Sequence, residues 1–209
     1  MSFYGTVFAQ IYDPFLAWGE RAGLRRLRSE ILAEASGAVL EIGAGTGLNV
    51  PHYGPAVTSL TLADPEQPMV KRLQGQQSHL PLEPVVALAP AEELPFEDDA
   101  FDTVVSTLVL CTVTDVDASL AEIRRVLRPD GKLLFIEHVR ADSSRLAGWQ
   151  DRLHEPWRRF GYGCHCNRDT HAALAAAGFQ VGPVRQERWR RMPAIVAPLI
   201  AGAAVPATA

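Results

Sequence analysis

The run Val39-Leu-Glu-Ile-Gly-Ala-Gly-Thr-Gly47, with Asp64 seventeen residues further on at the end of a second apolar run, Leu60-Thr-Leu-Ala63, constrains this chain more than any other stretch. Leu40 and Ile42 belong to a short apolar segment that reads as a buried strand, and Gly43, Gly45 and Gly47 let the chain turn tightly and bring backbone N–H groups against a ligand. A side chain in that turn is expected to collide with the ligand. Dinucleotide-binding crossovers use G-x-G-x-x-G, with a helix N-terminus aimed at a pyrophosphate. Here Gly43 and Gly45 fit, Gly47 comes one residue early, and Glu41 places a fixed anion beside the turn. That anion repels a pyrophosphate and attracts an ammonium or a sulfonium. Asp64 suits either ligand, as an acceptor for ribose hydroxyls.

The chain has 209 residues, 47% hydrophobic and 21% charged, which predicts one globular domain with a substantial core. Its net charge of −4, from 20 basic and 24 acidic residues, supplies no overall positive field and argues against nucleic acid as a partner. The local clusters Arg21, Arg25, Arg26, Arg28 and Arg185, Arg188, Arg190, Arg191 read as solvated faces that also permit peripheral contact with anionic lipid. Cys111, Cys164 and Cys166, with no leader-like start at Met1, predict a reducing cytoplasm instead of a disulfide framework. The uncharged tail from Met192 is interrupted by Pro193, Pro198 and Pro206, so a terminal strand is expected there and not a membrane span, which needs about twenty apolar residues.

Residues 1–36 read as a helical cap. Phe8, Ile11, Tyr12, Phe15 and Leu16 form one stripe, Asp13-Pro14 marks a break, and Leu24, Leu27, Ile31 and Leu32 form a second stripe. From residue 38, apolar runs near 38–42, 59–63, 84–88, 101–106 and 131–137 alternate with helical segments near 47–53, 66–77, 115–127 and 167–178. Such alternation predicts an α/β fold, a Rossmann-like, doubly wound, mostly parallel sheet of seven strands. An insertion at 141–166 precedes a final pair of strand-like runs near 179–187 and 194–202, which the family resemblance given below implies to be an antiparallel hairpin that closes the sheet. The division expected is cap 1–36, cofactor core 37–140, and acceptor lid with hairpin 141–209. Ligands of such sheets sit beyond the strands' carboxyl ends. Here these ends are Gly43–Gly47, Asp64, Ala89–Glu92, Ser106–Leu108 and Glu137–His138.

With the glycine turn and Asp64, three further motifs stand in order: Ala89-Pro-Ala-Glu-Glu-Leu-Pro-Phe96, Phe101-Asp-Thr-Val-Val-Ser106, and Ile123-Arg-Arg-Val-Leu-Arg-Pro-Asp-Gly131 running into Lys132-Leu-Leu-Phe-Ile-Glu137. On these motifs the chain resembles the class I S-adenosylmethionine-dependent methyltransferases of the methyltransferase-11 type, over roughly residues 37 to 140. Leu153-His-Glu-Pro-Trp157 and Gly163-Cys-His-Cys-Asn-Arg168 add a weaker similarity to the thiol and small-lipophile methyltransferase-like group. The resemblance implies S-adenosylmethionine as cofactor, S-adenosylhomocysteine as product, and a small, lipophilic acceptor: a thiol, a phenol or quinol, or an amine.

In that setting Glu41 is expected to face the amino group of the methionine part, with Gly43, Ala44, Gly45 and Thr46 lining that part. Asp64 takes both ribose hydroxyls and Pro65 packs on the adenine. Ala91 offers backbone to the adenine edge, Glu92 its carboxylate to the exocyclic amine, and Ser106, Thr107 and Leu108 leave their strand beside the sulfonium. Asp102 is assigned to the fold. Methyl transfer is a direct displacement at a carbon activated by positive sulfur, so alignment and desolvation are the main demands. If the acceptor needs a general base, His138, His154 and His165 are the candidates. Trp149, Trp157, Phe160 and Tyr162 are expected to wall the acceptor pocket. The run Cys164-His165-Cys166 lacks the two-to-four-residue ligand spacing of structural zinc sites, so no metal is expected, and Gly163–Arg168 reads as a turn capping the next helix. A monomer or homodimer is compatible with the sequence. Two other classes remain as alternatives: an NAD-type Rossmann oxidoreductase, disfavoured by Glu41 and the early Gly47, and a non-catalytic module that binds S-adenosylmethionine.

Overall fold

A computed structural model describes residues 17–76 and 83–207. The stripe at Phe8–Leu16 lies outside them. A π-turn at Glu20–Leu24 leads into α1 (Arg25–Leu32), followed by β1 (Gly37–Ile42), β2 (Val57–Asp64), α2 (Gln67–Gln76), β3 (Val85–Leu88), β4 (Phe101–Thr107), α3 (Val116–Val126) and β5 (Leu127–His138). The chain continues through α4 (Ser144–Phe160), α5 (Thr170–Ala176), β6 (Phe179–Val181), β7 (Arg185–Arg188) and β8 (Pro198–Pro206).

The sheet runs β3-β2-β1-β4-β5-β8-β6, with β7 also on β8. Strands β1 to β5 pair in parallel and β8 runs antiparallel to β5, with Phe135 opposite Gly202. The expected hairpin forms with one difference. Its first arm is two short strands, Phe179–Val181 opposite Ala204–Pro206 and Arg185–Arg188 opposite Pro198–Ala201, which share one edge of β8. Gly182-Pro183 breaks the arm, because proline has no N–H to give the ladder. The sheet therefore has seven positions filled by eight strands.

Apolar clusters cover both faces. Leu40, Ile42, Val104 and Phe135 pack with Leu120, Ile123 and Val126 of α3 on one side. Val39, Leu62, Leu134 and Ile136 pack with Leu24, Leu27, Ile31 and Leu32 on the other, which places the second stripe of the cap against the sheet. At about 1.5–3 kcal/mol for each fully buried large side chain, these faces dominate the stability. Helix α3 starts where Asp115 accepts the N–H groups of Asp117 and Ala118. Asp102 accepts the Ala38 N–H at 2.7 Å and pairs with Arg128, the structural role expected of it.

Two elements depart from expectation. The helix expected near 47–53 is only a single 3-10 turn, Val50–His52, because Gly47 sits at φ 81 and Pro51 removes a donor inside so short a span. The insertion is mostly one 17-residue helix, α4, despite Pro156. The turn after it is not the cap of α5; that is Asp169, whose side chain accepts the Ala172 N–H.

Candidate functional site

The carboxyl ends of β1, β2 and β4 open into a crevice of about 430 Å³, lined by Gly43, Gly45, Asp64, Pro65, Ala91, Glu92, Thr107 and Leu108 and closed on the far side by Thr112–Thr114 and Gly161–Gly163. That size suits a nucleoside-sized ligand. The glycine turn is shaped first by the protein itself: Gly43, Gly45 and Gly47 all have positive φ, and a Cβ at Gly43 would lie 2.5 Å from Val109. Leu108 takes φ 60 without being glycine, a strained placement at the strand end where the crevice begins.

Asp64 ends β2 with both oxygens anchored, one accepting the Gly45 N–H at 2.8 Å and the other the Glu66 N–H at 2.9 Å. Burial raises its pKa to about 6 in spite of these two donors. Each oxygen keeps a further lone pair for a ligand hydroxyl. A desolvated carboxylate between glycine backbone and an open crevice fits a ribose and a neighbouring cation, as the implied cofactor requires.

Glu41 is not a bare anion beside the turn but is caged by side chains. Asn49 donates to one of its oxygens at 3.0 Å and the Tyr53 hydroxyl to the other at 2.7 Å. Asn49 in turn accepts from Arg28 at 2.7 Å, and Arg28 pairs with Glu20. Burial raises Glu41 to about 7, against the hydrogen bond from Tyr53, the Arg28 charge and the hydrogen bond from Asn49. Ala44 and Thr46 line the small recess of about 20 Å³ that Glu41 shares with Arg28, Asn49 and Thr107.

Three expected contacts go elsewhere. Ser106 is fully buried and donates to Glu137 at 2.7 Å, so it does not line the crevice. Glu92 lines the crevice, but its carboxylate also accepts the Thr114 N–H at 2.8 Å, tying the loop before α3. Of the four aromatics, Tyr162 alone lines the crevice; Trp149 and Phe160 are 49% and 60% exposed, and Trp157 turns its indole N–H to Cys164 at 3.0 Å.

None of the candidate bases lines the crevice. His154 and His165 lie 2.8 Å apart, nitrogen to nitrogen, beside the turn after α4. Burial lowers the pKa of His165. His138 is buried at the end of β5, with its Nε2 2.7 Å from Cys164 Sγ and its Nδ1 without a hydrogen-bond partner. The cysteines sort differently from their sequence spacing. Cys166 donates to the Gln150 carbonyl, whereas Cys164 meets Cys111 and His138. Hydrogen bonding from Cys111, then His138, holds the Cys164 thiol low, and burial holds that of Cys111 high.

Two organisers escaped the sequence reading. Buried Glu137 accepts from Ser106 and from the N–H groups of Val109 and Leu110, shaping the loop beneath the crevice. Buried Gln150 donates to the carbonyls of Val139, Cys166 and Ile195 and accepts the Ala141 N–H at 2.8 Å, fastening α4 to the end of the sheet. An acid inside the apolar run Leu133–Glu137 was the available signal for the first. Gln150 carried none.

Comparison with known proteins agrees with this geometry. A methyltransferase-11 family profile, described as a methyltransferase domain, matches residues 40–135. Thiol S-methyltransferase TMT1B of Homo sapiens is 40% identical over 164 residues, 74% of this chain and 66% of that protein. Thiol S-methyltransferase TMT1A of Homo sapiens is 34% identical over 177 residues, 82% of this chain and 72% of that protein. The chain thus spans about two thirds of the length of these relatives. In fold it is similar to a Burkholderia thailandensis 1,6-didemethyltoxoflavin-N1-methyltransferase solved with S-adenosylhomocysteine, with a TM-score of 0.69 and 17% identity over 98% of this chain and 88% of that one.

Proposed function

The chain belongs to the class I S-adenosylmethionine-dependent methyltransferases of the methyltransferase-11 type, and on that premise we propose that it moves the methyl group to the sulfur of a small, lipophilic thiol. Bound S-adenosylmethionine supplies a methyl carbon already activated by a positively charged sulfur. The protein's part is to hold, align and dry the reactants. In this reading Asp64 accepts the ribose hydroxyls, Pro65 and Ala91 flank the adenine, and Gly43 and Gly45 line the methionine part. The second lone pairs of Glu41 serve the amino group while Asn49 and Tyr53 keep the carboxylate in place.

The observation that carries the choice of a thiol is the crevice wall, in which no histidine appears among the described residues and the acids Asp64 and Glu92 are already held by backbone N–H groups. A phenol or alcohol acceptor must lose its proton to a base, whereas a thiol near its usual pKa of about 8.5 is already partly ionised at neutral pH. The similarity to two thiol S-methyltransferases supports the same acceptor. Thr112, Val113 and Tyr162 offer it a mainly apolar edge. The test is a panel of alkyl thiols, phenols, quinols and amines incubated with methyl-labelled cofactor. Label in the thioethers is the expected result, and label only in a phenol, quinol or amine product would overturn the thiol assignment.

A further inference from the structure

We propose that Cys111, His138 and Cys164 form a binding site for a soft divalent cation of the zinc class, behind the wall of the cofactor crevice. The three residues come from separate elements: the loop after β4, the last residue of β5 and the turn after α4. Their two sulfurs and one ring nitrogen all lie within 4.8 Å of one another, and all three residues are buried. Zinc–sulfur bonds of about 2.3 Å and zinc–nitrogen bonds of about 2.0–2.1 Å at tetrahedral angles put ligand atoms roughly 3.5–3.8 Å apart. The observed atoms lie within 4.8 Å of one another, and the edge from His138 Nε2 to Cys164 Sγ is 2.7 Å, shorter than a zinc site needs. Opening that edge takes side-chain movement of about 1 Å, well within torsional reach.

The donor set selects the cation. Two thiolates and an imidazole suit zinc and its soft neighbours and reject magnesium and calcium, which demand oxygen. Three protein ligands leave the fourth position to a non-protein ligand, as in catalytic zinc sites of the Cys₂His type. The surroundings hold the ligands ready. The His165 N–H donates to the Cys111 carbonyl at 2.7 Å, locking the two loops together, and the Trp157 indole donates to Cys164 Sγ at 3.0 Å, the outer support a bound thiolate uses. His138 turns its Nε2 toward Cys164 Sγ, the nitrogen that would bind the cation, and leaves its buried Nδ1 without a hydrogen-bond partner. A cation here ties the Gly161–Gly163 turn to the Thr112–Thr114 wall, the two sides that close the crevice.

The full chain, expressed with added zinc and purified without chelators, is expected to carry about one zinc per chain by elemental analysis. Cobalt exchanged into the site is expected to give sulfur-to-metal charge-transfer absorption. Cys111→Ser and Cys164→Ser should each lower metal retention at least tenfold, while Cys166→Ser keeps it. Should His138→Ala fail to fold by circular dichroism, His138→Cys, which restores a ligand, is expected to retain metal. Retention unchanged in Cys111→Ser would overturn the proposal. So would a wild-type chain that, after incubation with excess zinc, retains under about a tenth of an equivalent, or one whose Cys164 is then alkylated as fast as in metal-free protein.

Discussion

Asp64 holds backbone and, in the function proposed above, also the ribose, and the two roles can be separated. Its oxygens hold the Gly45 and Glu66 N–H groups, and the residue lines the crevice. Asp64→Ala is expected to weaken cofactor binding on the order of tenfold or more, equivalent to roughly 1.4 kcal/mol, as loss of a charge-assisted bond does. Titration calorimetry reads the affinity, and a melting curve reports how much of the effect is loosening of the glycine turn. An unchanged dissociation constant would remove Asp64 from the ligand contacts. The placement of Asp64 and the glycines at the strand ends was readable in sequence because it depends on local backbone conformation. The partners of Glu41 were not: Asn49, Tyr53 and Arg28 reach it from a loop, a turn and a helix, at separations that no periodicity encodes.

Among the elements, α4 departs furthest from its sequence reading. Its aromatics suggested a lining for the acceptor, yet Trp149 and Phe160 face outward and the helix is held through Gln150. Gln150→Ala would leave the Ala141 N–H and the carbonyls of Val139, Cys166 and Ile195 without their partner. A destabilisation of about 1–3 kcal/mol is expected, with local opening of α4 and the following turn ahead of global unfolding. Hydrogen exchange would show this as lost protection confined to α4 and residues 161–168. Uniform loss across β1–β5 would contradict it. The strands of the parallel sheet, by contrast, were predicted close to their observed places, since each is a short apolar run between turn residues. The helix expected near 47–53 failed because Gly47 and Pro51 interrupt it, and Asn49 and Tyr53 turn instead to Glu41.

For the whole molecule, the buried carboxylates make stability depend on pH and ligand together. Burial raises Glu41 from an ordinary 4.5 to about 7 and Asp64 from 3.8 to about 6, so between those values the folded protein binds more protons than the unfolded chain. Their contribution is full below about pH 4 and is lost as pH rises through 6 to 7, by roughly 3 kcal/mol for a shift the size of that at Glu41. Burial holds His52 and His165 low and works in the opposite direction, so the informative comparison is with Glu41→Gln. Relative to that variant, ligand-free wild type is expected to lose melting temperature from pH 5 to 7.5, and the stabilisation by S-adenosylmethionine, whose positive charge favours the ionised carboxylate, to grow over the same range. Parallel pH profiles for the two proteins would refute this. The crossover, the parallel strands and the acids at their carboxyl ends were legible in the chain alone, because strand periodicity, turn glycines and strand-end residues act over a few neighbouring positions. The caging of Glu41, the distance of the histidines from the crevice and the meeting of Cys111, His138 and Cys164 came from the packing of remote segments. Those outcomes depend on which distant segments the sheet brings together, and burial then sets what each group can do.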